Sequence, residues 1–342
     1  MMSKRIEIVS STIAGFSSMG ASSRLGILDV LRKYYSSVEI SIVNNIEDLS
    51  SLVGRRPDLV FLGMDMLPYD KKIILGDQIN IWVSEYLDQN NIAYTGSAKK
   101  ALYLESNKPL AKQLVINQGL KSSKFYVTSP DSQFINLDLK FPQFIKPVDG
   151  GGGKGVDADS VAHNEDQANF KVASILKKYN CNSLVEEYLT GREFSVSLLK
   201  NIDSDRLNVM PIELVATPDN KGNRMLSRRV KSSNSEEVLA VDDGPLKTKI
   251  NNLAVKVFNG LGGRDYGRVD IRLDNKGEPF FLEANFIPSL IDGYGSFPKA
   301  CSVNLGMSFE EMLQHIVTLG LARNENENSP RFLSSNFIPS TV

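Results

Sequence analysis

The chain has 342 residues, of which 42% are hydrophobic, enough for two or three compact units with buried cores. Its 39 basic and 40 acidic residues nearly cancel and form no long run of one sign, which argues against a nucleic-acid-binding or membrane-surface protein. The two cysteines and two histidines have no metal-ligand spacing, which argues against a zinc site and fits a reducing compartment. Glu7 interrupts the first apolar run, unlike in a signal peptide, and no stretch reaches the roughly 18 apolar residues of a membrane span. We therefore expect a cytoplasmic protein with no nucleic-acid or membrane partner.

The first hundred residues alternate short apolar strands with helical patterns. The sequence predicts strands at 5–10, 38–43, 59–62 and 92–95, and helices at 22–35 and 79–91. This order is typical of a small parallel sheet with helices on its faces. Such sheets bind ligands at the carboxyl ends of their strands, so the serine-rich loop of residues 11–22 is expected to face a binding site.

A glycine-rich segment lies shortly before the middle of the chain. The sequence predicts a helix at 107–115 and strands at 125–127 and 142–146, and the last strand runs into four glycines at 150–153 and then Lys154. Glycine has the largest backbone entropy cost, so packing does not explain the run, whereas bare backbone N–H groups can approach an anion closely. The segment matches neither the Walker pattern nor the Rossmann fingerprint. A flexible linker is the alternative interpretation.

The next segment contains two glutamates beside apolar residues. A helix is predicted at 164–179 and strands at 184–188 and 193–199, with Glu186 and Glu193 on either side of their junction. Buried carboxylates are rarely unpaired, so both are expected to meet basic partners or a ligand. Residues 215–235 are polar, basic and without period, which is typical of a functional lid or of disorder.

The stretch 267–289 reads as a hairpin between amphipathic helices at 246–261 and 309–317. A four-residue loop at 275–278 would place Asp270 opposite Glu283, with Asn285 on the same face. Facing carboxylates repel unless a cation lies between them, and oxygen ligands of this kind suit Mg²⁺. A surface hairpin with solvated charges is the alternative. The last twenty residues are expected to be a loose polar tail.

Several of these motifs together resemble the ATP-grasp superfamily, and within it the D-alanine–D-alanine ligase group. The resemblance covers nearly the whole chain. It is carried by the following segments: Tyr94-Thr95-Gly96-Ser97, Asn107-Lys108, Lys146-Pro147 with the glycine run, Glu186 to Phe194, Gly267-Arg268-Val269-Asp270, Leu282-Glu283-Ala284-Asn285 and Gly306-Met307-Ser308-Phe309.

The resemblance implies a fold, a set of cofactors and roles for individual residues. The fold would be α/β: an N-terminal parallel α/β domain at 1–103, then a two-lobed α+β ATP-grasp domain with a central lobe at 104–187 and a C-terminal lobe at 188–322, and the tail at 323–342. The cofactors would be ATP and Mg²⁺, the partners a small carboxylate and an amine, and a homodimer is a further expectation. The nucleotide would be held by Lys108, Lys146, Gly151, Gly152, Gly153, Lys154, Glu186, Tyr188, Leu189 and Glu193; the metal by Asp270, Glu283 and Asn285; and catalysis would involve Arg268, Lys231 and Ser18.

The chain departs from the family in the amino-acid half of the site. The family's early substrate-binding glutamate falls near Ser18, in a loop without any acid. The family's histidine after the third strand is also missing, since the chain reads Gly63-Met64-Asp65-Met66 there. Arg228, Arg229 and Lys231 replace its tyrosine-bearing loop. An unpaired buried charge is costly, so an anionic or N-blocked first substrate is expected to be preferred over free D-alanine, unless Asp65 turns inward.

These observations favour an ATP-dependent carboxylate–amine ligase that forms an acyl-phosphate. Three alternatives remain open at this point: a D-alanine–D-alanine ligase with an altered pocket, a carboxylase-like enzyme suggested by the GGGGKG loop, and a nucleotide-binding protein without turnover. Fold resemblance alone does not choose the substrate.

Overall fold

The computed structural model describes residues 1–13, 15–17, 19–68, 80–129, 139–149, 151–219, 222–227, 230 and 233–328, with the backbone alone for Pro68 and 324–328. Predicted residues Ser18, Arg228, Arg229 and Lys231 lie outside this set. Among the helices that are described, none is both long and apolar enough to cross a membrane.

The N-terminal segment forms a three-stranded parallel sheet with strand order β2-β1-β3. Its strands are β1 (Met2–Ser10), β2 (Tyr35–Ile42) and β3 (Leu59–Leu62), its helices are α1 (Ala21–Leu31), α2 (Ile46–Gly54), α3 (Val83–Gln89) and α4 (Lys99–Ser106), and β4 (Met66–Pro68) pairs with β5 (Asn80–Trp82).

The parallel sheet was predicted, but several of its neighbours were not. Tyr35 begins β2 and Trp82 ends β5, whereas the sequence predicted both residues to lie in helices. Helices α2 and α4 were not predicted. Residues 92–95 do not form the predicted strand; they contribute a single parallel bridge, between Tyr94 and Val60.

The central segment forms an antiparallel sheet with strand order β6-β9-β7-β8. It contains α5 (Lys108–Asn117), β6 (Phe125–Val127), β7 (Gln143–Pro147), β8 (Val161–Ala162), α6 (Glu165–Tyr179) and β9 (Ser183–Glu187). Asn107 caps α5 by accepting the Leu110 N–H, and Pro109 in the first turn costs no helical hydrogen bond. Ile145, Ile175 and Val185 belong to a separate small core in this segment.

The C-terminal segment forms a second antiparallel sheet with strand order β12-β11-β10-β13-β14. It contains β10 (Glu193–Lys200), β11 (Leu207–Val215), β12 (Glu237–Ala240), α7 (Pro245–Gly260), β13 (Tyr266–Leu273), β14 (Pro279–Asn285), α8 (Ser296–Leu305) and α9 (Phe309–Asn328). Since α9 runs to Asn328, the predicted tail is wrong for residues 323–328, and 329–342 lie outside the described residues.

The first and third segments share their cores. Leu62 of β3 belongs to the same hydrophobic cluster as Phe194 of β10 and Val269 of β13, and Phe61 belongs to a second cluster with Tyr266. The central sheet, with its own core, stands opposite this joint body and leaves a cleft between them. The mixed α/β class with a parallel N-terminal sheet is confirmed, while the domain boundaries stay a prediction.

Candidate active site

The cleft lies between the central sheet and the C-terminal sheet and spans about 860 Å³ of space without protein atoms, part of which is open solvent. It brings together residues that are far apart in the sequence. Its lining includes these predicted residues: Lys108, Lys146, Gly151, Gly152, Gly153, Lys154, Glu186, Tyr188, Leu189, Glu193, Asp270 and Glu283. Arg268 and Asn285 contact Asp270 at its edge.

The hairpin of β13 and β14 places two carboxylates side by side on the cleft wall. Asp270 is paired with Glu283 across the strands, as predicted, but by a different route from the predicted loop. Leu273 pairs with Pro279, and a β-bulge between the Ile271–Phe281 and Asp270–Glu283 pairs leaves Leu282 as the extra residue. The bulge resets the alternation, so Leu282 and Glu283 both line the cleft while Ala284 returns to the core.

Asp270 is held by three neighbours. Arg268 Nη2 donates to its Oδ2 at 3.0 Å, and Arg268 Nε lies 2.9 Å from its Oδ1. Ser195 Oγ donates to Oδ1 at 2.8 Å, and Asn285 Nδ2 makes a long 3.4 Å contact with Oδ2. Burial opposes the charge on Arg268, but Asp270 and Glu283 outweigh it and raise the pKa of the guanidinium. The carboxylate is therefore fixed in one orientation.

Ser195 was missed by the sequence reasoning, although the strand pattern contains the signal. Glu193, Ser195 and Ser197 alternate along β10, and they face Arg272, Asp270 and Arg268 respectively on β13. Polar residues at a spacing of two on a strand whose other face is buried indicate a functional face.

The donor set at this wall fits a magnesium ion, judged by its chemistry. Two carboxylates and an amide provide oxygen ligands of the kind Mg²⁺ takes, and Mg²⁺ commonly completes its shell with water and substrate phosphate. Across the residues with described positions, no group of three or more His, Cys, Asp or Glu side chains is arranged to hold a metal. The amide of Asn285 would therefore have to join the two carboxylates, with water or phosphate completing the shell.

The glycine loop, residues 151–155, forms the opposite edge of the cleft. Gly152 and Gly153 have φ of +63° and +75°, a conformation that L side chains rarely adopt. A side chain at Gly155 would collide with Pro147, so the loop folds back closely over the end of β7. Lys154 lines the cleft, with its Nζ 5.3 Å from the Tyr179 ring centroid.

Glu186 lies between two lysines rather than facing the cleft alone. Its Oε2 is 3.1 Å from Lys146 Nζ, and its Oε1 is 2.7 Å from Nζ of Lys112, a close ion pair whose direction departs from that of a hydrogen bond. Burial raises the pKa of Glu186, but the two ammonium groups together hold it below its ordinary value. Lys112 was not singled out in the sequence, where it is one more lysine on an amphipathic helix.

An aromatic and ionic wall continues from β9 into β10. The Tyr188 ring stacks on Phe144 with centroids 6.2 Å apart and planes at 25°. Arg272 lies 5.1 Å from the Tyr188 centroid and donates to Glu193 Oε2 at 3.0 Å. Burial raises the pKa of the Tyr188 hydroxyl. A flat aromatic surface beside a paired carboxylate is suited to a base and the hydroxyls of a sugar.

Behind the carboxylate wall lie two further, half-buried acids. Glu105, on α4, accepts the N–H groups of Phe286 and Ile287 at 2.6 and 3.2 Å, just after Asn285. Burial raises the pKa of Glu105 to about 7. Asp65 accepts a hydrogen bond from Ser106 Oγ at 3.0 Å, and burial raises its pKa as well. Lys108, at the start of α5, is buried beside them, and burial lowers its pKa.

The serine-rich loop after β1 is tied to its surroundings by hydroxyl groups. Ser17 Oγ lies 3.0 Å from Ser10 Oγ and donates to the Gly63 carbonyl at 2.7 Å. Arg24 Nη1 donates to Ser10 Oγ at 3.2 Å and so brings a positive charge to this loop. Ser18 itself lies outside the described residues.

Comparison with known proteins gives related sequences and related folds. An uncharacterized protein, y4sG, of Sinorhizobium fredii is 30% identical over 70% of this chain and 70% of its own length. D-alanine–D-alanine ligase of Leptospira interrogans is 28% identical over 78% of this chain and 74% of its own, and that of Aquifex aeolicus is 25% identical over 78% and 84%.

Solved structures show the same fold. D-alanine–D-alanine ligase from Bacillus anthracis complexed with ATP superposes with a TM-score of 0.72 at 18% identity, covering 95% of this chain and all of that one. A family model described as the D-ala D-ala ligase C-terminus matches residues 117–318, which include the glycine loop and the hairpin. Because this match covers more than half of the 342 residues, the chain belongs to the D-alanine–D-alanine ligase family of ATP-grasp enzymes.

Proposed function

We propose that this ATP-dependent ligase activates a small amino-acid-like carboxylate and joins it to an amine. A carboxylate oxygen would attack the γ-phosphorus of ATP, forming an acyl-phosphate and releasing ADP. The amine would then attack the acyl carbon, lose a proton and expel phosphate, leaving an amide. The observation that carries the proposal is the Asp270–Glu283 pair on one wall of a cleft whose other edge is the glycine loop.

The proposed nucleotide contacts follow from the chemistry of each wall. Lys108, Lys146 and the N–H groups of residues 151–154 would neutralise and cradle the phosphates, which phosphoryl transfer requires more than covalent assistance. The Tyr188 surface and Leu189 would border the adenine, with Glu186 reading its amino group. Glu193, held by Arg272, would accept hydrogen bonds from the ribose hydroxyls. The neighbour from Bacillus anthracis was solved complexed with ATP, which supports this use of the cleft.

Asp270, Glu283 and Asn285 would hold Mg²⁺, which when bound supplies charge neutralisation between the phosphate oxygens. Arg268 is already oriented by Asp270, and we assign it to the negative charge that develops on the acyl-phosphate and the tetrahedral intermediate. Lys231 and Ser18 keep their proposed catalytic roles as predictions. Closure of the glycine loop would exclude water from the reactive intermediate.

For the first substrate we propose an anionic or N-blocked compound. The loop of residues 11–22 contains no acid, and Arg24 adds a cation to it through Ser10. Asp65, which would be the replacement acid, instead accepts a hydrogen bond from Ser106 and has a raised pKa through burial. A free ammonium group would therefore meet little compensating charge there.

Free D-alanine is the second candidate substrate. It is favoured by the relatives from Leptospira interrogans and Aquifex aeolicus, which are D-alanine–D-alanine ligases. A homodimer and a cytoplasmic location also stay predictions.

A substrate panel separates these two candidates. We would measure ATP-dependent phosphate release with D-alanine, N-acetyl-D-alanine and dicarboxylic amino acids, each with and without an added amine. Our proposal predicts a higher kcat/KM for the N-blocked or dicarboxylic compounds. Efficient D-alanyl-D-alanine formation at millimolar D-alanine would instead assign this chain its relatives' substrate.

A further inference from the structure

Lys112 is a buried lysine on α5 to which the proposed function gives no role. Its side chain is 0% exposed, and its Nζ lies 2.7 Å from Oε1 of Glu186. The same ammonium donates to the hydroxyls of Ser122 and Ser123 at 3.1 Å each and makes a 3.4 Å contact with the Phe281 carbonyl. These partners come from the loop before β6, from β9 and from β14, so the ammonium is fixed in position.

Glu186 has a second cation, Lys146, but Lys146 is needed elsewhere. It contacts the other oxygen of Glu186 at 3.1 Å and also lines the cleft beside the glycine loop. When an anionic phosphate enters, it competes with Glu186 for this ammonium. A buried carboxylate that lost its only cation would be costly, and the cost would be subtracted from the nucleotide's affinity.

We propose that Lys112 is a positioning residue that acts through Glu186, keeping this carboxylate ionised and in place while Lys146 turns to the nucleotide phosphates. The inference rests on the proposed function, because it takes Lys146 as a phosphate ligand. Without nucleotide, Glu186 bridges both lysines. With nucleotide, Glu186 stays with Lys112 and Lys146 pairs with phosphate. Lys112 thereby allows one buried acid to remain in the site without weakening phosphate binding.

This arrangement predicts a loss that depends on the phosphates. In Lys112→Met, Lys146 is the one lysine among the described residues that keeps an ion-pair contact with Glu186, so a triphosphate must pull Lys146 away from that carboxylate. Adenosine carries no phosphate and leaves the Lys146–Glu186 pair intact. A general loosening of the cleft would weaken both ligands alike, and the ratio of the two dissociation constants therefore separates the two explanations.

The test is calorimetric titration with adenosine and with the non-hydrolysable analogue AMP-PNP plus Mg²⁺. We expect Lys112→Met to raise the Kd of AMP-PNP by about tenfold or more while the Kd of adenosine changes by less than about twofold. Adding Glu186→Gln to this variant removes the competing carboxylate. The double variant should regain the wild-type ratio of the two Kd values, even though the base contact itself is altered.

Equal losses for the two ligands, or no loss for either, would overturn the inference. If Lys112→Met does not fold, the single variant Glu186→Gln is compared with the double variant Glu186→Gln/Lys112→Met. The double variant removes both members of the buried ion pair, so neither charge is left alone. These two variants should show the same Kd ratio, and a difference would mean that Lys112 acts independently of Glu186. A wild-type protein that binds neither ligand would contradict the proposed function itself.

Discussion

Asp270 lies directly opposite Glu283 on the neighbouring strand, although the pairs nearer the turn are offset by one residue from that register. The offset is absorbed at Leu282, the extra residue of a β-bulge. Regular alternation would have turned Glu283 to the side of Phe281, which is fully buried. One bulged residue therefore places both acids on the cleft wall.

We expect Asp270→Asn and Glu283→Gln each to lower the rate of ATP-dependent phosphate release by at least about a hundredfold. Each variant removes one carboxylate from the pair that we assign to Mg²⁺, while the glycine loop and the aromatic wall remain. AMP-PNP should still bind weakly, as measured by calorimetry. Wild-type turnover in either variant would exclude the proposed metal site.

Glu278→Gln is the matched control for this comparison. It removes a charge from the same hairpin, but Glu278 lies outside the cleft, where it pairs with Lys121 at 2.8 Å and Lys249 at 2.5 Å. Pairs between exposed side chains contribute little, so the control should keep its turnover.

Gly152→Val should raise the KM for ATP by about tenfold with a smaller change in kcat. The φ of +63° at Gly152 is strained for valine, and the side chain would obstruct approach of the backbone to phosphate. Gly119→Val is the control, since Gly119 has φ +73° and open space around it but lies at the end of α5, outside the cleft lining. It should lose stability without a change in KM. If Gly152→Val and Gly119→Val had the same KM for ATP, the glycine loop would be only a linker.

Glu105 should make the stability of the protein depend on pH. Burial raises its pKa from 4.5 to about 7, against the opposing N–H groups of Phe286 and Ile287. The folded protein therefore holds a proton that the unfolded chain releases between these values, so stability falls as pH rises from about 4.5 to about 7. Glu105→Gln removes this titration, and its advantage over wild type should grow across the same window toward an upper bound of roughly 3 kcal/mol. Urea unfolding at several pH values measures the difference, and parallel curves for the two proteins would contradict it.

Strongly patterned elements were predictable from the sequence, and irregular ones were not. Strands β3 and β6 lie at their predicted residues because they are short apolar or aromatic runs between polar ones. Strand β11 was missed because Pro211 interrupts it. Pro211 pairs with Val196 of β10 but lies one residue outside the stretch that pairs with β12, which begins at Ile212. At Pro211, β11 is therefore an edge strand, where a residue without an N–H is tolerated.

The site was predictable where one local motif holds the residues together. The hairpin and the glycine loop carry their own spacing, and their predicted residues do line one cleft. Lys112 and Ser195 were missed because their significance arises from pairing between distant segments: Lys112 meets Glu186 across the central segment, and Ser195 meets Asp270 across β10 and β13. The sequence indicated a basic partner or a ligand for Glu193, but it did not identify Arg272 as that partner.

Trapping with hydroxylamine tests the central claim, an acyl-phosphate formed at the expense of ATP, most directly. The purified protein would be incubated with ATP, Mg²⁺, the best carboxylate of the substrate panel and hydroxylamine in place of the amine, and the products would be identified by mass spectrometry. We expect the hydroxamate of that carboxylate with one ADP and one phosphate per hydroxamate, and a loss of all three in Asp270→Asn. Amide formation with the amine but AMP and pyrophosphate as products, or ADP formation that does not depend on the carboxylate, would contradict the account.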